Sequence, residues 1–438
     1  MTELRAPGRP KGKYRLFLGL YRAALWAAEP LVWRYFRRRT EKDPRYGAHL
    51  DERRGSGGDF KADLWVHAVS LGEMTSAEPL VRLALDDGMR VLTTHATPAG
   101  RTRAEATFAE AIAAGKLAVR YAPIDRLPYW RAFLARHRPR AALVMEMEFW
   151  PEMLEAAATA GVPLVLTNSQ IPARSLGRAR WQARLFGHPA TRAAAVFAKS
   201  PMMAERFRAV GVKIIEVLGE TRFDMALPAA QLAAGAHLKA KLGDRPVLCL
   251  ASVVNGEEDI YASAVQTLLA GPNPPFVIWV PRAPELFEVT ETLLADQGFK
   301  LATRGSTFDA DLGLQSDLAE VDVLLGNSLG EMAFYIAASD AVLVGGGFTP
   351  KGTHNVIEPL AQGRPVITGP DTRTIEFPGV EAREAEVLTV CATPDDLVPA
   401  IREALTKDAG GAAAFHATHA GASARIYAAV RPVLTEDR

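Results

Sequence analysis

Cysteine is scarce: two stand in 438 residues, Cys249 and Cys391, each inside an apolar, strand-like run. Two such thiols cannot frame a disulfide-stapled domain and read as reduced core residues of a cytosolic protein. No Cys/His group has zinc-site spacing, and no Asp-x-Asp metal motif stands at a strand end. A Walker loop is absent, and no Gly-x-Gly-x-x-Gly opens an α/β unit where a dinucleotide fold needs it. Also missing is an uncharged apolar run of about 20 residues, the length a spanning helix requires. The nearest approach, Arg15–Phe36, is broken by Arg22, Glu29 and Pro30 and lacks the small-residue cleavage site of a signal peptide. Strong net charge is lacking too, at +1, so the bulk charge does not point to nucleic acid. There are no repeats and no long low-complexity tracts.

What is present is an uneven charge. Residues 1–54 hold fourteen Lys/Arg against six Asp/Glu, a balance of +8, which leaves −7 for the rest of a chain at +1. Tyr21, Trp26, Trp33 and Tyr35 accompany Arg34 and Arg37–Arg39 in that arm. A basic, aromatic helix over residues 15–39 fits the interface of an anionic membrane. The alternative is a helix packed on the body of the protein. Such an arm is also expected to be removable, so that deleting residues 1–39 leaves a folded chain.

From Asp63, apolar runs alternate with helix-length segments. Strands are expected at Leu64–Ala68, Val91–Thr94, Ala118–Tyr121, Ala142–Met145, Pro163–Thr167, Ala195–Ala198 and Ile214–Val217. Small residues and Pro228 between Asp224 and Gly235 suggest a linker. A second set follows, with strands at Val247–Ala251, Phe276–Val280, Val321–Leu325, a run ending at Val344, and Pro365–Thr368. The pattern implies mainly parallel sheets with helices on both faces, in which ligands collect at the carboxyl ends of strands. Polar residues fall there: Glu73 in the turn Ser70-Leu71-Gly72-Glu73, then Glu146 and Glu148, Asn168, Ser252 and Arg282.

The most informative stretch is Val342–Pro370. Three glycines follow an apolar run, Gly352, His354 and Asn355 occupy the loop, and Val356–Gln362 reads as a helix. Glycines let a backbone approach a ligand closely, and a helix N-terminus offers N–H groups to a phosphate. Glu358, in the first turn, can accept hydrogen bonds from sugar hydroxyls. The stretch reads as a nucleotide-sugar donor site, against the plainer alternative of an ordinary βα loop. Glu73 is the candidate base for an acceptor hydroxyl, or else only a favourable charge at a helix start. Arg282 leads the candidates to neutralise a leaving phosphate, or is a surface arginine in a turn. The expected architecture is α/β of the GT-B kind: two doubly wound, Rossmann-like domains facing a central cleft, with an N-terminal membrane-interface helix.

Three motifs then stand in order: Trp65-Val66-His67-Ala68-Val69-Ser70-Leu71-Gly72-Glu73, Met145-Glu146-Met147-Glu148-Phe149-Trp150-Pro151 and His354-Asn355-Val356-Ile357-Glu358-Pro359. Together they resemble the 3-deoxy-D-manno-octulosonic acid (Kdo) transferases, over nearly the whole chain. The resemblance implies an inverting, metal-independent GT-B enzyme without a cofactor. Such an enzyme moves Kdo from CMP-Kdo to a lipid A precursor at the cytoplasmic face of the inner membrane. It implies Glu73 as general base, and Ser70, Gly72, Glu146, Glu148, Asn168 and Arg174 on the acceptor side. Ser252, Arg282, Leu329, Gly330, Glu331, His354, Asn355 and Glu358 would hold CMP, with Glu358 on the ribose. The implied layout is a membrane-associating segment at 1–45, an acceptor-binding domain at 46–228, a donor-binding domain at 229–417 and a C-terminal helix at 418–438 that crosses back onto the first domain.

The chain departs from that family's pattern. The family has Thr at Met147, Asn-Ala-Arg at Asn168-Ser169-Gln170, Lys at Arg222, His-Glu at Val254-Asn255, His at Ala283, Asp-Thr at Asn327-Ser328 and Gly at Thr353. Loss of an arginine at Gln170 and of histidines at Val254 and Ala283 removes donors and positive charge near an anionic sugar and phosphate. The alternatives are a paralogue with another CMP-linked acidic sugar or acceptor, and a catalytically silent binder of glycolipid or nucleotide.

Overall fold

Leu64, Trp65, Val66 and His67 are each fully buried. The first strand therefore has no face toward water, the condition of a parallel sheet covered on both sides. The computed structural model describes residues 4–407 and 410–436. It divides into two compact units, Met1–Met225 with Ala420–Arg438, and Ala226–His419.

The first unit opens with α1 (Gly12–Lys42) and then alternates: β1 (Leu64–His67), α2 (Leu71–Asp86), β2 (Val91–His95), β3 (Leu117–Tyr121), α3 (Leu127–His137), β4 (Ala141–Met145) and α4 (Pro151–Thr159). It continues through β5 (Leu164–Ser169), α5 (Ala173–Leu185), β6 (Ala195–Ala198) and β7 (Ile215–Val217). All seven strands run parallel in the order β3-β2-β1-β4-β5-β6-β7. Winding reverses between β1 and β4, so the connections leaving those strands diverge and open a crevice at their carboxyl ends. Alternation along β1 sends Trp65 to one layer, where it meets Trp130 and Phe133 at ring separations of 5.4 and 5.0 Å.

The second unit begins with α6 (Ala229–Leu242) and β8 (Val247–Val253), followed by α7 (Glu258–Leu269), β9 (Phe276–Pro281), β10 (Leu301–Thr303) and β11 (Val323–Leu325). Next come α8 (Met332–Ala337), β12 (Ala341–Val344), α9 (Ile357–Ala361), β13 (Val366–Thr368) and β14 (Leu388–Val390). Its sheet is also parallel, in the order β10-β11-β9-β8-β12-β13-β14, with its reversal between β8 and β12. The final helix α10 (Ala422–Thr435) belongs to the first unit. Its Ile426, Tyr427, Val430 and Leu434 pack with Leu64 and Val66, and Arg431 reaches Asp87 at 2.7 Å.

Two local expectations differ. The segment read as a linker up to Gly235 is helical from Ala229, because its small residues are mostly alanine, the strongest helix former, and Pro228 sits at the start. The strands β10 and β14 were not expected, each being three residues at a sheet edge.

The helix α1 is bound into the first unit through polar groups. Arg22 makes a two-pronged contact with Glu152, at 2.6 and 3.1 Å, and Tyr21 donates to Asp125 at 2.8 Å. Arg126 pairs with Glu29, which also accepts from Tyr129 at 2.6 Å. The side chain of Glu152 is fully buried, and burial lifts the Asp125 carboxyl to about 6. Removing the helix would leave Glu152 buried without its ion pair and take Tyr21 from Asp125, which keeps Trp130 Nε1 and the Glu152 and Met153 N–H groups. Deleting residues 1–39 is therefore expected to cost stability. The outward face of α1 is nonetheless apolar: Leu16, Leu20 and Leu31 are 62%, 58% and 67% exposed. Among the described residues no helix is long and apolar enough to cross a membrane. Arg22→Ala is expected to lower stability by about 1–3 kcal/mol, since it leaves Glu152 buried and unpaired. Urea denaturation checks this, and an unchanged midpoint contradicts it.

Candidate active site

In the first unit, Ser70 caps α2. The Glu73 N–H donates to Ser70 Oγ at 3.3 Å, and Glu73 Oε2 accepts from the N–H of Val69, the residue before the cap, at 2.7 Å. The plain role at a helix start is therefore real. The carboxyl is also perturbed. Burial chiefly, then the charge of Glu148, lifts it to about 8, against the Val69 N–H that lowers it. Glu148 is itself raised by burial, although Trp150 Nε1 donates to it. A methyl added at Gly72 would meet nothing within 4 Å. The fold therefore does not require glycine there, and the space beside Glu73 is open.

Glu146 and Asn168 end β4 and β5 with left-handed backbones, φ 59° and 52°. Such conformations in non-glycine residues are costly and cluster at functional sites. The Asn168 Nδ2 donates to Glu146 Oε1 at 3.1 Å and to Glu220 Oε1 at 2.8 Å. Gln170 and Lys199 both reach Glu146 Oε2, at 3.0 and 2.9 Å. Arg222 lies 3.4 Å from Glu146 Oε1, and its Nε donates to Ser76 of α2 at 2.8 Å. Lys199, Glu220 and Ser76 were not expected. Lys199 and Glu220 follow β6 and β7, so the strand-end rule that found Glu146 could have found them too. Arg174 is not part of this group. It lies exposed on α5, in line at helical spacing with Arg178, Trp181 and Leu185, all exposed.

In the second unit, the loop after β12 is shaped by Glu257, another residue missed. Its carboxylate accepts from the N–H groups of Gly346 and Phe348 at 2.7 and 2.9 Å and from Tyr261 at 2.9 Å. Gly345 is required by close approach, since a Cβ there would lie 2.4 Å from the Ser252 carbonyl oxygen. Ser252 has φ 59°. His354 is held by its N–H on the Gly345 carbonyl at 3.0 Å, and its Nε2 is buried with no partner among the described residues. Burial, then the charge of Arg282, depresses its ring to about 4. The guanidinium of Arg282 is exposed and has no hydrogen bond or ion pair among the described residues. Glu358 stands in the first turn of α9, and burial lifts its carboxyl with no hydrogen-bond partner among the described residues.

Two of the expected donor residues are otherwise engaged. Asn355 Oδ1 accepts from the Ile357 N–H at 3.0 Å, starting α9. Glu331 is clasped by Arg304 through two bonds of 2.7 Å and by Ser328. Beside it Leu329 is 71% exposed and Gly330 has φ 79°. Among the described residues no group of His, Cys, Asp or Glu is arranged to hold a metal ion.

Two parallel seven-stranded units, each with polar residues at its switch point, have the GT-B fold, and the chain is a glycosyltransferase. Glycyrrhiza uralensis UGT73P12, complexed with glycyrrhetinic acid 3-O-monoglucuronide, shares the fold with a TM-score of 0.57 at 10% identity, over 85% of this chain and 96% of its own. The family model described as 3-deoxy-D-manno-octulosonic-acid transferase matches residues 43–225. The 3-deoxy-D-manno-octulosonic acid transferase of Bordetella pertussis is 36% identical over 93% of this chain and 97% of its own length. That of Haemophilus influenzae is 30% identical over 88% and 90%. The chain belongs to the Kdo transferase family. Its kcat/KM is expected to rise with pH and level off above about 8, because only ionised Glu73 can take a proton. Glu148→Gln should move that limb to lower pH. A profile that is flat from about pH 6 to 9 contradicts the assignment.

Proposed function

We propose that this enzyme moves Kdo from CMP-Kdo to a lipid A precursor at the cytoplasmic face of the inner membrane. The observation that carries it is Glu73, a carboxyl poised near neutral pH at the switch point of the first unit, beside open space. The acceptor hydroxyl gives its proton to Glu73 as its oxygen bonds to the anomeric carbon of Kdo, and the bond from that carbon to the CMP phosphate breaks with inversion. Arg282 and backbone N–H groups near Gly330 meet the charge on the leaving phosphate. Glu358, half-buried and unpartnered, suits the ribose hydroxyls. Glu146, Glu148 and Asn168 serve the acceptor side.

The outward face of α1 supports the choice of acceptor. Leu16, Leu20 and Leu31 are exposed on a helix that carries Arg34 and Arg37–Arg39 near its end, a pattern suited to an anionic bilayer surface.

Two experiments test this reading. Full-length protein with CMP-Kdo and a tetra-acylated lipid A precursor is expected to give product heavier by Kdo, and Glu73→Ala to lose at least about 10²-fold in rate. No product from the unaltered chain, with CMP-Kdo still bound, points to a different acceptor or a silent binder. Replacing Leu16, Leu20 and Leu31 with glutamine should cut co-sedimentation with anionic vesicles by about tenfold while circular dichroism stays unchanged. Undiminished sedimentation removes α1 from the membrane contact.

A further inference from the structure

Lys199 directly follows β6, and only 3% of its side chain is exposed. Its ammonium lies 2.9 Å from Glu146 Oε2 and 2.8 Å from Glu220 Oε2. These carboxylates arise beyond the ends of β4 and β7, and Asn168, at the end of β5, bridges the same pair through its Nδ2. Four segments thus meet on one buried cation. Burial alone would drive the proton off a lysine, but Glu146 and Glu220 outweigh it and hold Lys199 above the ordinary lysine range. Glu220 is held low in return: burial works against its charge, and Lys199, Arg222 and the Asn168 amide together more than compensate.

We propose that Lys199 is a positioning residue for transfer, fixing the Glu146 carboxylate and the left-handed turns at Glu146 and Asn168 on which the acceptor side is built. This rests on reading Glu73 and Glu146 as acceptor-side groups. The other cation near Glu146 is Arg222, 3.4 Å away and with 36% of its side chain exposed. It cannot replace an ammonium enclosed between two carboxylates. Without Lys199, Glu146 and Glu220 would keep the single amide of Asn168 and the charge of the partly exposed Arg222. That is too little to stop their mutual repulsion from turning Glu146 out of place. Glu146 is also among the charges that Glu73 feels, so its displacement reaches the base. Gln170 Nε2 donates to the same Glu146 oxygen as Lys199. An arginine at 170 can therefore bring a cation to the oxygen that Lys199 serves.

The test compares full-length Lys199→Met, the double variant Lys199→Met/Gln170→Arg, and Glu73→Gln, reading kcat and KM for each substrate together with thermal melting. Lys199→Met is expected to lose about 10²-fold in kcat/KM for the acceptor, with the KM for CMP-Kdo within about twofold of the unaltered enzyme. The double variant should recover at least about tenfold of that loss. An unaltered acceptor kcat/KM in Lys199→Met, or a folded double variant no better than the single one, overturns the proposal. If Lys199→Met does not fold, the double variant decides: folded and active supports the proposal, while folded and inactive, or unfolded, overturns it. Full activity in Glu73→Gln beside a weakened Lys199→Met sinks the assignment of the base and leaves Lys199 standing. An inactive Glu73→Gln beside an unaltered Lys199→Met does the reverse.

Discussion

A parallel sheet that reverses its winding cannot close over its own switch point, and the chemistry of this protein gathers in the space that results. Both sheets reverse once, between β1 and β4 and between β8 and β12. The chain leaves three of the strands beside these points in conformations that non-glycine residues rarely adopt, at Glu146, Asn168 and Ser252. Each costs about 1–3 kcal/mol and persists only where surrounding contacts dictate it. In the first unit those contacts are the bonds among Glu146, Asn168, Glu220 and Lys199. In the second, the Ser252 carbonyl lies against Gly345, and Glu257 ties down the backbone that follows.

Charge is distributed to match. Glu146 and Glu220 sit against Lys199, a pairing in which burial opposes ionisation and the counter-charge restores it. Glu73 and Glu148 form no ion pair among the described residues, and burial lifts both carboxyls. Glu220 is thereby held low and Glu146 is paired as scaffold, while Glu73 is left to titrate at about 8, where a base can work. Glu358 and Arg282 follow the same division in the second unit, where neither has a hydrogen bond or ion pair among the described residues and Glu331 is held by Arg304.

Much of this was legible in the sequence because parallel strands buried on both faces write themselves as short apolar runs. The residue after such a run points to the carboxyl end of the sheet, which is how Glu73, Glu146, Asn168 and Arg282 could be named. What could not be read depends on partners distant in the chain. Lys199 resembled any lysine at a strand end until Glu146 and Glu220 were seen around it. Glu257 gave no signal, since its carboxylate serves backbone about ninety residues away. The two alternatives for the N-terminal helix proved not to exclude each other. One face of α1 is bound through polar groups to Glu152, Asp125 and Arg126, and the other is apolar and exposed. A helix that buries polar groups and exposes apolar ones does not show the amphipathic pattern of a packed helix. The edge strand β10 escaped because three half-buried residues carry too little periodicity to register.

The account stands or falls on whether the switch point of the second unit holds the nucleotide. A crystal structure of the full chain with CMP measures this directly. It should show CMP at the carboxyl ends of β8 and β12, with its ribose hydroxyls on Glu358 and its phosphate at Arg282. CMP bound in the first unit, or a phosphate held away from Arg282 with Glu358 untouched, would contradict it.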